Sequence, residues 1–172
     1  MPPDRKSLKM SDRNEKWCHD KYHPQDTNFD LPLAVAELRK TLYGYVENDF
    51  SVTITEADLI TKKYCEDEAI YILQNARNIS SSVQWANNIP LNSDINCFRM
   101  RETAWLSAVK SCAILTEENK NIGQYIAKGR NTQKYVDLNS AISNIEARIK
   151  GYIKSDRKRY YKEAAKVTKG KP

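Results

Sequence analysis

Leu138, Ile142, Ile145, Ile149, Tyr152 and Ile153 recur at spacings that return to one side of a helix, and no β-strand reading accommodates that period. The same rhythm marks Leu31, Val35, Leu38, Leu42 and Tyr45 in a segment of about 31–47, and Ala69, Ile72, Leu73, Ala76 with Ile79 or Val83 in a segment reaching about 79. Over 94–115 the apolar residues spread wider. Phe98, Trp105, Val109 and Cys112 cluster, while Cys97, Ala104, Ala108, Ala113 and Leu115 extend the surface, so this helix needs neighbours on several sides. Helices linked by short polar segments predict an all-α, single-domain bundle of about four to six helices. The scarcity of Gly (5) and Pro (6) in 172 residues agrees, because an all-β chain needs many tight turns.

Boundaries follow from local chemistry. Asp30 is placed to cap the first helix, with Pro32 in its first turn. Residues 48–53, NDFSVT, read as a turn or a short strand, and Thr53 with Glu56 forms a capping box. Glu66, Asp67 and Glu68 suggest a helix start within the second segment. The stretch WANNIPLNSD reads as a loop containing Trp85 and Pro90, with Ser93 or Asp94 capping the central helix. Thr116 and Gly129 bracket a shorter helix of about 117–128, and the last helix starts near 136. Gly151 is a weak point within it.

Charge divides unevenly. Residues 1–22 carry six basic and four acidic groups, 23–149 carry thirteen and sixteen, and 150–172 carry nine and two, so the net +6 arises at the C-terminal end. The expected organisation is a flexible polar arm (1–22), a helical body (23–153) and a projecting basic helix or tail (154–172). On the last helix's wheel Asp156 and Glu163 occupy the apolar stripe, and an unpartnered carboxylate is costly to bury. The helix is therefore expected to leave the body after Ile153, with charge nearly all round.

Lys150, Lys154, Arg157, Lys158, Arg159, Tyr160, Tyr161, Lys162, Lys166 and Lys169 form the candidate nucleic-acid-binding set. Cations neutralise phosphates with release of counterions, and tyrosine rings offer faces for base stacking. This pattern points to backbone contacts with DNA or RNA of low sequence specificity, within a larger nucleoprotein assembly or a homo-oligomer. Small helical subunits of CRISPR effector complexes and nucleoproteins of some filamentous viruses share this size and class, with no common motif behind the comparison. A protein-binding adaptor is the alternative, and charges that merely solvate a helix end are the plain one.

Other chemistry is sparse. Cys18, His19 and His23 lie close together but lack a fourth zinc ligand nearby, and Pro24 interrupts the segment, so neither metal nor cofactor is expected. No phosphate-binding glycine loop or activated nucleophile motif occurs, which favours a non-enzymatic protein. Arg99 and Arg101 with Glu102 read as ion pairs or phosphate contacts, Trp105 as core, and Trp85 as a surface anchor or core residue. The four cysteines are widely spaced and read as reduced. Neither a signal peptide nor a membrane-spanning run is apparent, so the chain is expected in the cytoplasm or within a virion.

Overall fold

The computed structural model describes residues 30–50, 59–92, 94–121 and 133–169. Among them are four α-helices and no strand: α1 (Leu31–Tyr45), α2 (Leu59–Asn88), α3 (Ile95–Asn121) and α4 (Gln133–Lys169), with a π-helical turn, Val46–Phe50, extending α1. Each helix packs on the next, and α1 also packs on α4, which closes the four into a bundle. Neighbours run antiparallel. Asp30, before α1, pairs with Arg148 near the middle of α4, while Tyr45 at the end of α1 meets Tyr135 at the start of α4.

The core is the set of stripes brought together. Leu31, Val35, Leu38 and Leu42 of α1 meet Ile72, Ile79 and Val83 of α2, Trp105, Cys112 and Leu115 of α3, and Leu138, Ile142, Ile145 and Ile149 of α4. Trp105 is fully buried and stacks on Tyr152, with ring centroids 5.4 Å apart. Such offset or parallel aromatic contacts add to the apolar area they bury. The three described cysteines, Cys65, Cys97 and Cys112, are buried thiols, and burial pushes the Cys112 thiol up to about 12.

Several expected boundaries move. α2 has no break at Glu66–Glu68 and runs nine residues past 79, because Ile79, Val83 and Ala86 keep its inner stripe buried through the weak helix formers between them. It stops at Asn88, where Pro90 disfavours further helix. Trp85 is therefore helical and lies outside any loop. α3 likewise continues through Thr116 to Asn121: Thr116 Oγ1 donates back to the Cys112 carbonyl at 3.1 Å instead of capping a new helix. Residues 122–128 and Gly129 lie outside the described residues, as do the arm at 1–22 and the capping box at Thr53 and Glu56. Asp94 does cap α3, its carboxylate accepting the Asn96 N–H at 2.8 Å. Asp30 makes no side-chain cap; its carbonyl accepts the Leu33 and Ala34 N–H groups while its carboxylate pairs with Arg148.

The segment at 48–50 is also helical, not a turn or strand, and it serves a purpose in the bundle. Its Asp49 is buried, accepts the Tyr135 hydroxyl and pairs with Lys134. Asn119 Nδ2 donates to the Tyr135 carbonyl at 2.7 Å, so α3 and the α1 extension together hold the start of α4. From there α4 passes without interruption through Gly151, which is exposed and where an added Cβ would meet nothing.

Glu68 faces α3 rather than opening a helix. Burial there, then its hydrogen bond with Glu118, pushes its carboxyl up to about 7 from an ordinary 4.5. The folded chain thus retains a proton that the unfolded chain releases, so this group's contribution to stability falls as pH rises from about 5 to 7 and is level above. Replacing Glu68 with Gln removes that titration. In urea titrations at pH 5, 6, 7 and 8, the stability of Glu68→Gln relative to the unsubstituted protein is expected to rise with pH and to plateau near neutrality.

Candidate nucleic-acid interface

α4 does not leave the bundle after Ile153. Asp156, only 4% exposed, sits where the wheel places it, and it has partners: Arg101 Nε donates to its Oδ2 at 2.6 Å and Trp105 Nε1 at 2.9 Å. The Arg101 guanidinium has further acceptors, its Nη1 donating to the carbonyls of Ala86 and Ile89 at 2.6 and 2.8 Å where α2 ends. Those carbonyls lack helical partners, so one arginine satisfies a helix end and a buried carboxylate together. One turn on, Tyr160 stacks on Phe98 with centroids 4.3 Å apart. Packing thus reaches Tyr160, and the nine residues 161–169 extend past it by about 13 Å at the helical rise.

This seating gives the basic residues a common side. Ile149, Ile153, Asp156 and Tyr160 face inward. Lys154, Lys158, Lys162 and Lys166 follow at intervals of four on the outer surface, within an arc of about 120°. The expectation of charge all round the helix is corrected accordingly, because the stripe positions that seemed to break its amphipathic character are paired within the bundle.

The ten predicted residues differ in how free they are. Lys154, Lys158, Arg159 and Lys162 are exposed and form no salt bridge among the described residues. Lys150 pairs with Glu146, Arg157 with Glu102 at 2.6 Å, and Lys166 with Glu163 at 2.8 Å. Lys166, and then Lys162, hold the Glu163 carboxyl below its usual range. Exposed pairs of this kind are worth roughly 0–1 kcal/mol, so a phosphate readily replaces the carboxylate. Tyr161 is 65% exposed, whereas Tyr160 is half-buried against Phe98 and belongs to the packing. Lys169 is helical, and its side chain lies outside the described residues.

Arg101, read as a possible phosphate contact, is instead committed to Asp156 and the α2 carbonyls, while Arg99 is exposed. Among the described residues no three His, Cys, Asp or Glu side chains are grouped to hold a metal ion; Cys18, His19 and His23 lie outside them. Nor is any described helix long and apolar enough to cross a membrane. No family model, curated protein or solved structure matches this chain.

Removing the Asp156 carboxylate leaves Arg101 and the Trp105 indole N–H without their acceptor. Breaking a buried pair from one side costs about 3–5 kcal/mol. Asp156→Ala is expected to lose stability on that scale in urea unfolding, and to speed amide exchange over 154–166 more than over the start of α4.

Proposed function

We propose that this chain is a non-enzymatic nucleic-acid-binding protein that contacts DNA or RNA backbone with little sequence preference, as one subunit of a larger assembly. The observation that carries the proposal is the outer side of α4: Lys154, Lys158, Arg159 and Lys162, exposed and without carboxylate partners, on a helix held by Asp156. Four such cations bind successive phosphates through counterion release, a contact that does not depend on base identity. Lys150 and Lys166 enlarge the surface by exchanging their acidic partners.

Deleting 154–172 would also remove Asp156 and Tyr160, so substitution is the cleaner test. With Lys154, Lys158, Arg159 and Lys162 all changed to Ala, affinity for 20-nucleotide single-stranded and duplex probes is expected to fall. The slope of log affinity against log salt should become shallower by about 3, since each phosphate contact contributes about 0.7–0.9. Unchanged affinity and slope would end this reading.

A second reading, a protein-binding subunit, draws on a different surface. Leu59 and Ile60 are 84% and 83% exposed on α2, and Ile70 and Tyr71 are exposed two to three turns further along the same helix. A defined oligomer that persists after nuclease treatment, with an absorbance ratio typical of protein alone, favours that role.

A further inference from the structure

We infer that the groove between α2 and α3 is a base-stacking subsite for single-stranded nucleic acid, an inference that rests on the reading of α4 as a backbone-binding surface. The groove is open to solvent and offers about 600 Å³ between the two helices, within the range of small-ligand sites. Trp85 and Met100 line it, 46% and 37% exposed. Trp85 is not part of the core: Val83 and Ala86, its neighbours on α2, supply the buried stripe there, and the indole stands outside it. Ser82 and Ser107 bridge the two helices at 3.3 Å, and Ser81 and Thr103 add two further hydroxyls.

The lining holds no carboxylate, and its one charged side chain is Arg99, which is exposed and has no acidic partner among the described residues. An aromatic face, hydroxyls able to meet base edges and an unpaired guanidinium are together the groups that hold a nucleotide by stacking, hydrogen bonding and phosphate contact.

The groove is also connected to the α4 surface. Arg157 reaches across to Glu102 on α3, and Arg99 lies one turn before Glu102 on the same helix. The carboxylate on that path is thereby neutralised. A strand on Lys154 and Lys158 has to pass over the outer side of α3 to bring a base to Trp85. Bases within a duplex are stacked on each other and do not enter a recess, so the subsite selects single strands, whereas the α4 lysines accept either form.

The test uses the full chain with a labelled 20-nucleotide single strand and the corresponding duplex. Trp85→Ala is expected to weaken single-strand binding roughly 5- to 150-fold, the loss of one stacked base, with salt slope and duplex affinity unchanged. Trp85→Phe should recover most of the affinity. Arg99→Ala should make the single-strand salt slope shallower by about 0.7 and spare the duplex. Unchanged single-strand affinity in Trp85→Ala, with both probes still weakened by the α4 substitutions, would overturn the subsite and leave the α4 reading standing. Equal loss on both probes would overturn it as well. Tight binding of AMP, insensitive to the α4 substitutions, would make the groove a free-nucleotide site instead. Failure of the unsubstituted protein to bind either probe would remove the α4 reading, and this one with it.

Discussion

The carboxylate of Asp156 joins three helices at one point. It accepts from Arg101 and Trp105 of α3, and Arg101 in turn closes the C-terminal end of α2 through the Ala86 and Ile89 carbonyls. Buried ion pairs of this kind contribute little net stability compared with a well-packed apolar substitute, but they tolerate few alternative arrangements. Their effect here is on direction: α4 is set against α3 at one rotation, and that rotation decides which side chains of its C-terminal half face water. A similar arrangement holds the other end, where buried Asp49 meets Tyr135 and Lys134. The longest helix of the bundle is thus fixed by aspartates at its start and about two thirds of the way along, with apolar packing between.

With α4 oriented, the charge asymmetry of the chain takes on a geometric form. The acidic groups near its C-terminal half are consumed: Asp156 by Arg101, Glu102 by Arg157, Glu163 by Lys166. What is left over is positive and lies on one side. A net charge computed over 150–172 conceals this, because it counts paired and unpaired cations alike.

Much of the fold was legible in the apolar stripes. The stripes of α1 and α4, the broad apolar surface of α3 and the antiparallel arrangement follow from spacing and short links, since a stripe at helical period has one way to be buried. Helix ends were less legible. Thr116 and the asparagines after Trp85 resemble end signals, yet the buried stripe continues beneath them and outweighs their weak local preferences. The rotation and extent of α4 were not legible. A wheel scores Asp156 as a break in the stripe, and nothing local reveals that its partners lie 51 and 55 residues away. The signal available was an acid at a stripe position together with an arginine and a tryptophan at i and i+4 on the most buried helix. Trp85 was misplaced for a related reason, since the nearby Asn87, Asn88 and Pro90 look like loop residues, and the helix reaches Asn88 because Ile79, Val83 and Ala86 pack.

Rigid presentation changes what a basic surface does. A disordered tail would lose conformational freedom with every lysine it commits, roughly 1–2 kcal/mol per backbone residue ordered. Lys154 and Lys158 stand on a helix already ordered by packing on its other side, and Lys162 follows within one turn, so at the first two only side-chain freedom remains to be lost on binding. Successive lysines advance by about 6 Å along the axis, four residues at the helical rise. Under the proposed function, a flexible single strand adjusts to that interval without base identity entering. The same seating that orders α4 also joins it to α3 through Arg157 and Glu102, so the cations of α4 and the unpaired Arg99 belong to one rigid surface. Avidity along such a surface depends on the bundle remaining closed, which makes the buried aspartates structural conditions for any electrostatic role of the lysines outside them.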